Sequence, residues 1–221
     1  MLEPRLDQLP PAQRSLWPKL SEVPSGFVLY GGTALTLRLG HRPSEDFDLF
    51  ANASFHPDEL EREIPFLKGS VRLQSSPNTL VSQVMLPEGT TKVSFFGGLP
   101  LRRVKDPEPT ARNGLPIASL LDLAATKVKV VQDRAEAKDY LDIFQILEEG
   151  INLPHALASA HAVYGAVFNH LLSLKALSYF GDGDLGTLPE KVRTRLAAAV
   201  SSVDPTRLPE VAPLPGGLLH D

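Results

Sequence analysis

The sequence predicts an α+β fold, with a β-sheet flanked by helices in residues 1–115 and a helical domain in residues 116–221. One observation is an apolar run that ends in two glycines and is followed, at residues 46–50, by strict apolar and polar alternation. Such alternation has the period of a half-buried strand. Beyond an irregular, proline-containing stretch at 99–116, apolar residues recur with the period of a helix, so this stretch predicts the domain boundary.

The first elements follow from local signals. Residues 11–22 predict one short helix that packs on the sheet. The apolar run at 27–30 predicts a strand, Gly31-Gly32 a turn, and the apolar period up to Gly40 a helix. The remaining predicted elements are a helix at 57–67, two strands within 70–86, a strand at 92–96, helices at 117–133, 134–149, 153–177 and 190–203, and a proline-rich tail lying loosely on the surface from residue 204.

Two acids in the predicted strand at 46–50 are the first candidate site. Alternation places Asp46 and Asp48 on one face of the strand and Phe47 and Leu49 on the other. Neighbouring carboxylates repel each other, and a strand gives no local reason to hold them together. A divalent cation is one such reason, because magnesium prefers hard oxygen ligands.

A lysine on the predicted helix at 117–133 is the second candidate. Lys127 falls near the buried stripe and Lys129 on the outward face. A buried charge needs an anionic partner, and we expect Lys127 to point toward the strand acids or toward a bound phosphate. The alternative is a lysine that covers apolar surface with its stem and keeps its charge in water.

The next predicted helix carries the third candidate. Asp139 and Asp142 share a face at i, i+3, and Lys138 is spaced to pair with Asp142. Spacing alone equally fits a solvated, charged helix face.

Composition limits the class of protein. The 221 residues carry a net charge of −4, which argues against a generic nucleic-acid-binding surface without excluding a local basic groove. There is no cysteine, so disulfides, zinc–thiolate sites and cysteine nucleophiles are excluded. The sequence has neither a bilayer-spanning apolar run nor a basic-then-apolar signal at its start, which predicts a soluble, cytoplasmic protein.

Two strings of residues carry a resemblance to a known family. Gly-Gly before a short helix and Asp-x-Asp in an apolar strand resemble the signature of the polymerase-β-type nucleotidyltransferase superfamily, which has a mixed sheet. The longer string GGTAL…LGHRPSEDFDLF is closer to the AbiEii/AbiGii toxins of bacterial type IV toxin–antitoxin systems. The second string, K-x6-R-x3-KDxxDI, also looks like that group; it comprises Lys127, Arg134, Lys138, Asp139 and Asp142.

The resemblance implies a magnesium- or manganese-dependent transfer of a nucleotidyl group from a nucleoside triphosphate to an acceptor hydroxyl, in a cleft that the helical domain completes. It implies RNA, including tRNA, as acceptor, although a protein or small molecule stays open, and it implies a cognate antitoxin. The implied roles are metal binding and catalysis by Asp46 and Asp48, nucleotide binding by Gly31, Gly32, Thr33, Ser44 and Lys127, base or ligand function for Asp139, and support from Arg134, Lys138 and Asp142.

One departure from the superfamily pattern leaves an alternative open. Many members carry a third carboxylate on a neighbouring strand, where this chain has Ser94. Asp139 could replace it by analogy. Otherwise the chain is a catalytically weak nucleotide-binding or interaction module on the same fold.

Overall fold

The computed structural model describes residues 1–219, which form two compact units. Unit 1 comprises Met1–Leu101, Asp106–Ser119 and the segment that begins at Gly216. Unit 2 comprises Arg102–Lys105 and Leu120–Pro215. Each unit is therefore assembled from segments that are separated in the sequence.

Unit 1 holds a seven-stranded sheet within the described residues, in the order β3-β4-β5-β2-β1-β7-β6. The pairs β2–β5 and β1–β7 are parallel and the other pairs antiparallel, so the predicted mixed sheet is confirmed. In chain order the elements are α1 (Pro11–Leu16), β1 (Val28–Tyr30), α2 (Gly31–Leu39), β2 (Asp46–Phe50), α3 (Pro57–Glu63), β3 (Val71–Ser76), β4 (Thr79–Leu86), β5 (Gly89–Phe96), β6 (Glu108–Pro109) and β7 (Pro116–Ile117).

The core of unit 1 explains the alternation of β2. Phe47 and Leu49 are fully buried, whereas Asp46 and Asp48 are partly exposed, as the sequence pattern predicts. Trp17 packs against Phe47 with ring centroids 6.3 Å apart. Apolar burial on one face of β2 therefore fixes the strand, and the acids necessarily occupy the other face.

Unit 2 is helical. Its elements are α4 (Leu120–Val130), α5 (Ala137–Glu148), α6 (Leu153–Tyr164), α7 (His170–Leu177) and α8 (Glu190–Ser201). None of the helices within residues 1–219 combines the length and the apolar character needed to cross a bilayer.

Several predicted boundaries are wrong for identifiable reasons. The helix predicted at 11–22 changes to 3-10 geometry from Trp17, because Pro18 has no N–H to continue the α-helical ladder. The helix predicted at 153–177 is interrupted at Gly165, whose φ of +64° ends α6. The tail is exposed or half-buried over residues 204–217, as predicted, but it is anchored at Leu218, which is 1% exposed and donates its backbone N–H to the side chain of Asn52.

Candidate active site

The β1–α2 turn in unit 1 places two glycines beside the β2 acids. Gly31 has a φ of +75°, which residues with side chains rarely adopt, and a Cβ at this position would lie 2.5 Å from Oδ2 of Asp48. A Cβ on Gly32 would lie 2.8 Å from Oγ of Ser44 and 2.9 Å from Nη2 of Arg42. The first glycine thus lets the Asp48 carboxylate approach the start of the helix, and the second leaves room for two polar side chains.

Thr33 connects α2 to β2. Its hydroxyl is fully buried and donates a hydrogen bond to the backbone carbonyl of Asp46. This bond fixes the first turn of α2 against the strand. The prediction that Thr33 binds phosphate therefore depends on its backbone N–H rather than on its side chain.

The neighbouring strand β5 completes this face of the sheet. In the parallel pairing, Lys92 lies opposite Asp46 and Ser94 opposite Asp48. Nζ of Lys92 lies 2.7 Å from Oδ2 of Asp46, and each side chain retains about two-fifths of its exposure. Sequence reasoning missed Lys92, although its position two residues before Ser94 in an alternating strand was the signal that could have identified it.

Asp46 and Asp48 could supply some, but not all, of the ligands of a small divalent cation. Among residues 1–219, no group of three or more acidic or histidine side chains is arranged to hold a metal ion. Magnesium, however, is usually bound by one or two carboxylates together with substrate phosphates and water. Asp46 and Asp48, partly exposed on one face beside the N–H groups of a helix start, match that donor set.

Unit 2 contains a buried ion cluster formed by Lys127, Arg134, Asp139 and Asp142. Nζ of Lys127 lies 2.7 Å from Oδ1 of Asp139 and 2.7 Å from Oδ2 of Asp142. Arg134 Nε lies 2.7 Å from Oδ2 of Asp139, and its Nη2 lies 3.1 Å from Oδ1. Both acids are fully buried and Lys127 is 5% exposed, so the solvated-face alternative is wrong and the shared face of the two acids is confirmed.

Two predictions for this cluster are wrong. Lys127 was expected to pair with the acids of β2, but its partners are Asp139 and Asp142, which lie in the first two turns of α5 and face α4. Lys138 was expected to pair with Asp142; instead its Nζ lies 2.7 Å from Glu136, because Asp142 is directed into the interior.

The protonation of the cluster follows from these contacts. Burial raises the pKa of Asp139, but the hydrogen bonds and charges of Arg134 and Lys127 outweigh burial, and the net pKa is lowered. Burial, together with the charges of Asp139 and Asp182, raises the pKa of the neighbouring Tyr140 to about 12. Asp139 therefore stays ionised and Tyr140 neutral at physiological pH.

Comparison with known proteins places the chain in a family. It is 33% identical over 160 residues to an uncharacterized protein of Aquifex aeolicus (strain VF5), covering 71% of this chain and 74% of that protein. Its fold is similar to MenT4, a nucleotidyltransferase toxin from Mycobacterium tuberculosis H37Rv, with a TM-score of 0.61, 20% identity and coverage of 86% and 83%. It is also similar to a candidate nucleotidyltransferase from H. pylori, with a TM-score of 0.54, 18% identity and coverage of 86% and 90%.

The family model that matches describes a nucleotidyl transferase, the AbiEii toxin of type IV toxin–antitoxin systems, and the match extends over residues 19–212. This range includes both candidate clusters, the β2 acids of unit 1 and the buried ion cluster of unit 2. The resemblance inferred from the two sequence strings is thereby confirmed, and the chain belongs to the AbiEii family of nucleotidyltransferase toxins.

Proposed function

We propose that the protein transfers a nucleotidyl group from a nucleoside triphosphate to an acceptor hydroxyl, releasing pyrophosphate and the hydroxyl proton, with RNA as the acceptor class and magnesium or manganese as the cation. The observation that carries this proposal is the pair Asp46 and Asp48, partly exposed on one face of β2 beside a helix that begins with two glycines. Two carboxylates side by side on a partly exposed strand face suit a cation that is bound together with a triphosphate.

Phosphate binding would use the start of α2. The first N–H groups of a helix lack intrahelical acceptors and favour an anion. Helix α2 begins at Gly31, and the absence of side chains at Gly31 and Gly32 allows a close approach of phosphate oxygens. Ser44, adjacent to the position of the missing Cβ of Gly32, could donate its hydroxyl to the same phosphate.

The metal would be held by Asp46 and Asp48. When bound, such a cation neutralises charge on the transferring phosphoryl group and lowers the pKa of the attacking hydroxyl. The two aspartates orient it, and Thr33 keeps β2 and the start of α2 in a fixed relation through its bond to the Asp46 carbonyl.

The role proposed for Asp139 changes in view of its environment. A general base works best with a pKa near the operating pH and with access to the reacting group. Asp139 is fully buried, both of its oxygens are occupied by Lys127 and Arg134, and its pKa is lowered. We therefore propose that Asp139 holds Lys127 and Arg134 in place and does not act as the base.

A labelled-transfer assay tests the function. The protein is incubated with each of the four α-³²P-labelled triphosphates, magnesium and either RNA, the protein alone or a small hydroxyl acceptor. We expect label in RNA from wild type and none from Asp48→Asn, and circular dichroism checks that the variant is folded. Label that appears in protein and not in RNA would show that the acceptor is a protein.

The same assay distinguishes nucleotidyl transfer from the alternative function, nucleotide binding without catalysis. Ser94 lies opposite Asp48, where a third carboxylate is expected in the superfamily, and this favours a catalytically weak nucleotide-binding module. Magnesium-dependent binding of triphosphate without label in any acceptor would support that module and contradict transfer. Membership of a toxin–antitoxin family further leads us to propose a cognate antitoxin as partner.

A further inference from the structure

We propose that Lys92 is an additional ligand-binding residue of the Asp46–Asp48 site, exchanging Asp46 for a phosphate of the triphosphate when a divalent cation occupies that carboxylate. This inference rests on the proposed function. It concerns a residue that neither sequence string contains, and it makes predictions for metal and nucleotide binding that do not require turnover.

The strand register is the first support. Because β2 and β5 are parallel and Lys92 is opposite Asp46, the two side chains project from the same face of the sheet. The backbone ladder from Asp46–Lys92 to Phe50–Phe96 fixes this neighbourhood independently of side-chain conformation. Lys92 is thus held beside the candidate metal site by the sheet itself.

The exposure of the pair is the second support. The side chains of Lys92 and Asp46 are 40% and 41% exposed, and ion pairs with this much water contact contribute little to stability. Separating Lys92 from Asp46 therefore costs little free energy. The lysine stem has four rotatable carbons, so the ammonium group can move to another anion while its backbone stays in place.

The local charge is the third support. Asp46 and Asp48 are neighbouring carboxylates, and Lys92 offsets the charge of Asp46. A divalent cation on these carboxylates would repel the ammonium group and compete for the same oxygen. A triphosphate supplies several anionic oxygens next to the cation, and these offer Lys92 a replacement partner.

The consequence is a specific coupling between the two ligands. Without nucleotide, Lys92 opposes metal binding; with nucleotide, it supports the complex. Removing Lys92 should therefore strengthen binding of the metal alone and weaken binding of the nucleotide, whereas loss of a merely structural residue would weaken both. This opposite sign distinguishes the proposed exchange from a structural ion pair.

The chain offers a matched control. Nζ of Lys129 lies 2.6 Å from Oδ2 of Asp133 in unit 2, an ion pair of similar length with a partly exposed lysine. Lys129→Met and Lys92→Met change the net charge equally. A general effect of protein charge on ligand binding would appear in both variants. An effect that is specific to Lys92 would appear only in Lys92→Met.

The experiment has two measurements on the full-length protein. Mn²⁺ alone is titrated by electron paramagnetic resonance, and α,β-methylene analogues of ATP, GTP, CTP and UTP are titrated by calorimetry at saturating Mg²⁺. For Lys92→Met we expect Mn²⁺ binding about two- to fivefold tighter, the scale of an exposed ion pair, and binding of the preferred analogue about tenfold weaker. Lys92→Arg should keep most of the analogue affinity, and Lys129→Met should match wild type in both titrations.

Other outcomes overturn the proposal. Tighter Mn²⁺ binding with unchanged analogue affinity would show that Lys92 only competes with the metal. Unchanged or weaker Mn²⁺ binding in Lys92→Met would remove the competition on which the exchange depends. If wild type shows no analogue binding at saturating Mg²⁺ that Asp46→Asn abolishes, the proposed function fails together with this inference, and that result is distinct from a failure of Lys92 alone.

Discussion

Lys92 and Lys127 contact aspartates at the same distance but in opposite surroundings. Lys92 lies 2.7 Å from Asp46 in unit 1, and Lys127 lies 2.7 Å from both Asp139 and Asp142 in unit 2. The first pair is about two-fifths exposed, whereas the side chain of Lys127 is 6% exposed and its partners are fully buried. Equal distances therefore do not mean equal roles.

The difference follows from solvation. In an exposed pair, water replaces either partner with little cost, so the groups are available to ligands. In a buried pair, removing one charge leaves the other uncompensated in an interior of low polarity, which costs several kcal/mol. The comparison predicts that the Lys92–Asp46 pair of unit 1 can exchange partners, whereas the Lys127 cluster of unit 2 stabilises the fold.

The largest expected effect comes from Lys127→Met. This change leaves Asp142 without its lysine and Asp139 with Arg134 alone, and we expect the free energy of unfolding to fall by about 3–5 kcal/mol. Urea denaturation monitored by circular dichroism measures it. Lys129→Met, which breaks a more exposed pair, should cost less than about 1 kcal/mol. Equal losses in the two variants would contradict the comparison.

Asp139→Asn comes next and adds a pH dependence. It removes charged hydrogen bonds to Lys127 and Arg134, and we expect a loss of about 2 kcal/mol near neutral pH. Because the pKa of Asp139 is lowered from 3.8 in the folded protein, its contribution is present above pH 3.8 and is lost as the pH falls through the folded value. The difference between wild type and Asp139→Asn should therefore shrink below pH 3.8. A difference that grows with acidity would show that burial, not the cations, controls this carboxyl.

Gly31→Ala is expected to have a moderate effect on stability and a larger one on ligand binding. The positive φ costs a residue with a Cβ about 1–2 kcal/mol, and the new methyl group would displace the Asp48 carboxylate. We expect Mn²⁺ binding to be lost in a folded variant. Gly32→Ala has no positive φ and meets the ends of flexible side chains, so it should retain more Mn²⁺ affinity; the reverse order would place the metal away from Asp48.

The smallest effect on stability is expected from Lys92→Met. Thermal unfolding without ligands should give a free energy within about 1 kcal/mol of wild type, because the pair with Asp46 is exposed. A loss comparable to that of Lys127→Met would mean that the two pairings are alike after all.

The sequence predicted unit 1 better than unit 2, and the reason is the kind of signal each one uses. The β2 alternation and the glycine turn are local, and backbone geometry transmits them directly to the positions of Asp46 and Asp48. The partners of Lys127 depend on which helix packs against α4. The helical period predicts which side of α4 is buried, but it does not identify the element that covers that side. The alternation of β5 places Lys92 on the same face as Ser94, but its pairing with Asp46 depends on the parallel, nonlocal register of β2 and β5.

The helix boundaries show the same limit. The stop at Gly40 was predicted and is confirmed, since that residue adopts φ of +64° at the end of α2. The break at Gly165, which ends α6, was missed because the apolar period of the sequence continues on both sides of it. Local chemistry therefore predicted where charges lie, and packing decided which of them are paired.

The buried position of Leu218 has a consequence for the order in which the chain can fold. Asn52 bonds to Leu218 across 166 residues, and its amide also donates to the carbonyls of Leu99 and Leu101. A growing polypeptide generally folds from its N-terminal end, but these contacts of unit 1 cannot form until unit 2 has been synthesised. The unit that carries Asp46 and Asp48 is therefore the first to begin emerging from the ribosome and the last to complete its contacts.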